Sequence, residues 1–246
     1  MTLYFIGLGL NDEKDISLKG LEAIKKCKSV YLESYTSLLQ VKIENLEKLY
    51  KKKIIIADRT LVENQAEETI LKHAKTENTA FLVIGDPMCA TTHIDLILRA
   101  KKENIKTEII HNASIVSAIG ITGLEVYKFG KITSIPFNNE NVKAPIEVYK
   151  KNKTHDLHTL FLLDLDPINK KFLTIKQATE YLIKQGIKET KKAIACARIG
   201  SKDQKIVYTQ LEKLRKIDFK QPPYCLIIPG KLHFMEEEAL EQWQMN

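Results

Sequence analysis

Short apolar runs, closed off by Gly, Pro, Asp or Asn, alternate along the chain with longer stretches of helical period. That alternation is the pattern of parallel strands joined by crossover helices. Strands are predicted over 3–6, 29–32, 53–57, 79–84 and 107–110, with helices over 16–27, 41–50, 62–73 and 92–104 between them. In the first helix Ile16, Leu18, Leu21, Ala23 and Ile24 form an apolar stripe, and Lys19, Glu22, Lys25 and Lys26 face away from it. A further helix is predicted over 114–127. Helical period then disappears over 128–145, where Gly, Asn and Pro accumulate as loops require. A second set follows: strands over 158–165, 193–199 and 224–229, helices over 174–185 and 235–243, and a short strand-and-helix stretch through 207–216. The expectation is two α/β halves, 1–113 and 114–246.

Length and composition agree with this picture. A chain of 246 residues with 44% hydrophobic and 28% charged residues builds a packed core, and it is neither collagenous nor of low complexity. No stretch of about 18 apolar residues occurs, and the N-terminus turns acidic after a short apolar run, so neither membrane spanning nor secretion is expected. Cys27, Cys89, Cys196 and Cys225 form no CxxC pair, which argues against a zinc site or a disulfide framework and for a reducing, cytoplasmic location. The net charge of +7 invites a nucleic-acid partner. Its lysines, however, are dispersed pairs and triplets, and arginine occurs only at positions 59, 99, 198 and 215, so no direct nucleic-acid contact is expected.

Candidate chemistry sits where parallel strands end, because open α/β sheets bind ligands there. Five exits are unusual: Gly7-Leu8-Gly9-Leu10-Asn11-Asp12, Gly85-Asp86-Pro87 running to His93, His111-Asn112-Ala113-Ser114-Ile115, Leu163-Asp164-Leu165-Asp166, and Ala197-Arg198-Ile199-Gly200-Ser201. Gly7-x-Gly9 lacks the third glycine of a dinucleotide fingerprint and carries Asp12 in its place, which disfavours NAD and FAD. Asp86 reads equally as a ligand carboxylate or as an Asx turn before a helix. His93 and Asp95, two apart on a helix, point roughly 200° away from each other and make no metal site. Helix-start and packing roles suit them better. His233 is expected to order the final loop, and Glu236–Glu238 to be a solvated face beside an aromatic anchor, Trp243.

Several motifs in order resemble one family. Tyr4-Phe-Ile-Gly-Leu-Gly-Leu10, Tyr35-Thr-Ser-Leu38, Gly85-Asp-Pro87 with Ala90-Thr-Thr-His93, Ser117-Ala-Ile-Gly-Ile-Thr-Gly-Leu124, Ala197-Arg-Ile-Gly-Ser201 and Ile228-Pro-Gly-Lys-Leu-His233 are similar to the diphthine synthases. The resemblance implies a two-domain tetrapyrrole-methylase-like α/β fold, with a mostly parallel N-terminal sheet, a mixed C-terminal sheet and the cofactor cleft between them. It implies S-adenosylmethionine as cofactor, S-adenosylhomocysteine as product, a homodimer, and elongation factor 2 bearing a 3-amino-3-carboxypropyl histidine as protein substrate. Carried over by motif, the cofactor positions are Leu10, Asp86, Cys89, Ser114, Ile115, Leu165, Ile199 and Tyr224. Cys89 stands where the family often has a small or aliphatic residue, and Tyr224 where it often has His. No catalytic base follows from the resemblance, and Asp86 suits a ligand better than a base. Positioning an amine in line with an activated methyl group supplies most of the catalysis. The stretches Tyr31–Tyr35 and Ser201–Lys205 look closer to eukaryotic members, which implies a fourth methylation, of a carboxylate, giving the methyl ester. Two alternatives stay open: a small-molecule tetrapyrrole (precorrin-type) methyltransferase on the same fold, and a non-catalytic basic RNA- or ribosome-binding module.

Overall fold

A computed structural model describes residues 1–245, so only the last residue of the expected 114–246 half lies outside it. The chain divides into two compact units, Met1–Val116 and Ser117–Asn246.

The first unit is built on β1 (Thr2–Gly7), α1 (Leu18–Lys26), β2 (Ser29–Glu33), α2 (Ile43–Tyr50), β3 (Ile55–Ala57), α3 (Arg59–Asn64), α4 (Ile70–Thr76), β4 (Thr79–Val83), α5 (Ile94–Lys102) and β5 (Lys106–Ile110). Its five strands form one wholly parallel sheet in the order β3-β2-β4-β1-β5. β4 is buried along its whole length, as a central strand covered on both faces must be. Strand alternation sends Leu3, Phe5, Phe81 and Val83 into one apolar cluster and Ile6, Ala80 and Leu82 into another, so each face of the sheet has its own core.

Two expected helices differ from the sequence reading. The helix over 62–73 is really two, because Asp58 caps an earlier start by accepting from the Leu61 N–H at 2.8 Å. Arg99 of α5 then donates to the carbonyls of Val62 and Glu63, both at 3.1 Å, and so occupies the end of α3. In α1 the predicted stripe is narrower than expected. Leu18 is 80% exposed, and the helix buries Gly20, Ala23 and Ile24 instead.

The second unit begins within a short helix, α6 (Ile115–Ala118), that the expected 114–127 helix shrinks to. Gly123 stops the helical run at φ +91°, leaving two 3-10 turns at Ile119–Thr122 and Val126–Lys128. Next come β6 (Thr133–Ile135), α7 (Ala144–Thr154), β7 (Thr159–Leu163), β8 (Leu165–Asp166), β9 (Lys171–Phe172), α8 (Ile175–Lys184), β10 (Lys192–Ala197), β11 (Lys205–Gln210), α9 (Leu211–Leu214), β12 (Tyr224–Ile228) and α10 (Phe234–Glu241). The sheet order is β11-β10-β12-β7-β6, mixed, with only β6 and β7 parallel. β6 and α7 fall where a loop or no element was expected. Pro145 hides α7, yet it sits in the first turn, where its missing N–H leaves no helical bond unmade. Glu236 also departs from expectation. It is 1% exposed and accepts from His158 Nε2 at 2.8 Å, from the Glu125 and His233 N–H groups at 2.9 Å, and from Lys128 Nζ. Burial pushes its carboxyl up, but Lys128, the two backbone donors and His158 outweigh that and hold it at about 2. Among the described residues no helix is long and apolar enough to cross a membrane.

Candidate active site

Three loops meet at the carboxyl end of the first sheet. The first bends back after β1: Gly9 and Gly85 exchange backbone bonds, N–H to O at 3.2 and 2.7 Å, at φ +79° and +85°. Gly7 has no room for a side chain, since a Cβ there would lie 2.6 Å from the Gly85 oxygen and 2.7 Å from Asn112 Cβ. Asn112 fastens the third loop to the first, with Nδ2 donating to the Gly7 oxygen at 2.9 Å and the Asp15 oxygen at 3.0 Å. Asp15 Oδ2 in turn accepts from the N–H groups of Leu10 and Asn11, at 3.1 and 2.7 Å.

Asp86 is the node. It is 4% exposed, and Oδ1 accepts from the Met88 N–H at 2.8 Å, which is an Asx turn. Oδ2 accepts from the Asn112 N–H at 3.0 Å and from His111 Nδ1 at 2.9 Å. Burial alone would raise its pKa. The two backbone donors and His111 more than compensate, so the carboxyl sits below its ordinary value and the group is a carboxylate at neutral pH. The Asx turn expected at Asp86 is present, and the same side chain ties the β4 exit to the β5 exit.

The remaining positions of the first unit lie around this node. Leu10 is half-buried, with its carbonyl accepting from Gln40 Nε2 at 2.8 Å. Cys89 is half-buried and hydrogen-bonded to the Ser114 side chain; burial and the Asp86 charge raise its thiol pKa, which makes it a poor nucleophile. Ser114 is buried and its Oγ accepts from the Val116 N–H at 3.1 Å, one residue beyond half-buried Ile115. A Cβ placed on Gly85 would meet nothing nearer than 4.0 Å, where it would face the Ala113 oxygen and Ser114 Cα. The bare backbone there is open to a ligand lying flat against it.

The other three expected positions gather at one end of the second sheet. Leu165 follows β7, buried Ile199 follows β10, and Tyr224 opens β12 directly opposite Ala197. The Tyr224 hydroxyl donates to the Lys220 oxygen at 2.9 Å. Sequence reading passed over Asp15, His111 and Asn112 as partners. Their only local signal is a polar side chain at a strand exit. Among the described residues no three acidic, His or Cys side chains are placed to hold a metal ion.

The tetrapyrrole (corrin/porphyrin) methylases match residues 2–215. The diphthine synthase of Methanocaldococcus jannaschii is 45% identical, with 97% of each chain covered. The chain belongs to the diphthine synthase family of tetrapyrrole methylases. The diphthine methyl ester synthase of Dictyostelium discoideum is 42% identical over 100% of this chain and 99% of its own. A crystal structure of diphthine synthase superimposes with a TM-score of 0.93 at 40% identity, covering 99% of this chain and 96% of that one. As a member of the family the chain is a methyltransferase, and the three loops around Asp86 stand at the end of a parallel sheet where such a fold receives ligands. Neither the precorrin-type enzyme nor the RNA-binding module is favoured by these relatives.

Proposed function

We propose that the chain uses S-adenosylmethionine to methylate the 3-amino-3-carboxypropyl histidine of elongation factor 2, a step of diphthamide biosynthesis. The observation that carries this reading is the end-to-end likeness to proteins named diphthine synthase and diphthine methyl ester synthase. The residues suit the cofactor. The open face of Gly85, the Ser114 and Ile115 loop and the Asp86 carboxylate form a cradle of backbone and small polar groups, and Leu10 follows Gly9, which pairs with Gly85. Leu165, Ile199 and Tyr224 are proposed as cofactor positions on the family resemblance alone. When bound, S-adenosylmethionine supplies a methyl group already activated by its sulfonium.

The chain's own contribution is then orientation and exclusion of water. Asp86 is unsuited to take the proton released from the amine, because donors on both oxygens favour its charged form. Solvent water carries the proton away instead. We further propose a homodimer acting in the cytoplasm on a protein substrate, without direct nucleic-acid contact.

Titration calorimetry with S-adenosylhomocysteine tests the cofactor; no binding below millimolar concentration refutes it. Relatives under the two names are equally similar, so the number of methyl groups is tested separately. We propose four, ending in the methyl ester. Mass spectrometry of the product peptide should show four added methyl groups, and a three-methyl end point would reject the ester step.

A further inference from the structure

The loops described above leave β4, β1 and β5. On the other side of β4, the exits of β2 and β3 and the start of α5 form a second pocket of about 190 Å³. His93, Val62 and Leu96 are its buried lining, the Tyr35 ring stands beside them, and Glu63 and Asp95 are exposed at its edge. Two polar atoms in this lining are buried with no hydrogen-bond partner among the described residues, His93 Nε2 and the Tyr35 hydroxyl. His93 itself is 1% exposed.

The chemistry of those two atoms is determined by their neighbours. His93 Nδ1 lies 3.3 Å from the Pro87 carbonyl, which can only accept, so Nδ1 carries the hydrogen and Nε2 is a bare acceptor. Burial lowers the His93 pKa to about 4, which keeps the ring neutral. Tyr35 offers an O–H donor. The edge carries both signs: Glu63 lies 3.8 Å from Arg59, whose guanidinium also sits 5.3 Å over the Tyr35 ring, and Asp95 lies 3.3 Å from Arg99. The acceptor at His93 Nε2 and the donor at the Tyr35 hydroxyl offer a small zwitterion a partner for each end. The volume equals the share of about six waters, enough for an amino-acid head.

We propose that this pocket binds an α-amino-carboxylate head group, with His93 Nε2 accepting from its nitrogen and the Tyr35 hydroxyl donating to its carboxylate. The inference rests on the methyltransferase reading above, which brings two such heads to this unit: the methionine end of the cofactor and the 3-amino-3-carboxypropyl group of the acceptor. Either would lie against the Asp86 turn, because His93 bonds to Pro87 within it.

The test uses three variants of the whole chain. His93→Asn keeps a donor for Pro87 but has no acceptor at the Nε2 position, His93→Gln restores one there, and Tyr35→Phe removes only the hydroxyl. Calorimetry gives the S-adenosylhomocysteine Kd, and steady-state methylation gives KM for elongation factor 2 carrying the modified histidine. His93→Asn and Tyr35→Phe should each weaken one of these constants about tenfold, with His93→Gln closer to wild type. A loss in Kd assigns the pocket to the cofactor, and a loss in KM at unchanged Kd assigns it to the acceptor. A third measurement is independent of methylation: titration of L-2-aminobutyrate while following the ¹⁵N signals of the His93 ring, whose Nε2 should shift. If that signal moves while the wild type binds no S-adenosylhomocysteine, the pocket stands and the methyltransferase reading falls. Both constants within twofold of wild type in folded variants, or no movement of Nε2 at millimolar amino acid, would overturn the proposal.

Discussion

His93 makes the first unit acid-sensitive in a way that can be isolated. Burial lowers its pKa from 6.5 to about 4. In the unfolded chain the ring takes up a proton near 6.5, whereas in the folded chain it does so only near 4, so acidification through that interval favours unfolding. Above pH 6.5 the effect is absent, and below 4 it is complete. At about 1.4 kcal/mol for each pH unit the whole interval amounts to about 3 kcal/mol, of which about 2.5 kcal/mol has accrued by pH 4.5. The perturbation is His93→Gln, which removes the titration and leaves a side chain of similar reach. His158 is buried and also lowered, so it too favours unfolding as pH falls below 6.5, and the quantity to measure is the difference between wild type and variant. Trp243 is the only tryptophan and belongs to the second unit, so its fluorescence reports the wrong place. Hydrogen exchange at the Phe81 and Leu82 amides of β4 reports the right one. The variant should gain on the wild type by about 2.5 kcal/mol between pH 7.5 and 4.5. A difference that stays constant within about 0.5 kcal/mol over that range would show that His93 is not held neutral.

Three further perturbations test the packing of the loops and of α10. Asp86→Asn should both destabilise, by about 1–3 kcal/mol, and weaken S-adenosylhomocysteine binding, because either amide orientation sets an NH₂ against a donor, Met88 N–H on one side and Asn112 N–H on the other. Unchanged calorimetric affinity would contradict the role given to the node. Gly7→Ala should cost about 1–3 kcal/mol in thermal unfolding, since the new methyl meets the Gly85 carbonyl and a fastened Asn112; a neutral result would mean that these loops are not in contact. Glu236→Gln should cost about 3 kcal/mol at pH 7 by leaving Lys128 without its carboxylate. Glu236 has its pKa lowered to about 2, so its stabilisation is present above its unfolded value of 4.5 and is lost as pH falls from there towards 2. Urea unfolding followed by Trp243 fluorescence should show the wild type and variant converging over that range, and parallel curves would count against the ion pair.

How far the fold could be read from the sequence depends on whether its cause is local. β1, β2 and β4 were legible because strands buried on both faces read as unbroken apolar runs, as in 79–83. α8 was legible at its start because Thr174 and Gln177 form a capping box. The break between α3 and α4 was not legible, because Arg99 supplies it from 36 residues away through the Glu63 carbonyl. α7 was hidden by Pro145, a residue whose meaning reverses between the first turn of a helix and its interior. Glu236 looked like one of a run of solvated acids, and only the fold shows that it is ringed by His158, Lys128 and two backbone donors. The strand exits of the site stood out for their small and polar residues, but not their wiring. Asn112 reaches Gly7 across 105 residues and Asp86 reaches Asn112 across 26.

That wiring separates two kinds of polar group on the single segment between Gly85 and α5. Asp86 has a donor on each carboxylate oxygen and two on one of them, so it holds the loops in place, and its removal should disturb every ligand contact of the turn together. His93 is the opposite case. One nitrogen is committed to Pro87 and the other is buried without a partner, a state that native interiors rarely leave unexplained. A saturated group positions, and an unsaturated one is available to bind. The Pro87 carbonyl joins the two, so movement of the turn that engages the open face of Gly85 would also move the His93 ring that lines the second pocket. Binding at the Asp86 node should therefore change the affinity of the His93 pocket, and by linkage the reverse must hold by the same factor. Titrating L-2-aminobutyrate with and without S-adenosylhomocysteine measures that factor in both directions. A value of one would mean that the two pockets share a wall but no energy.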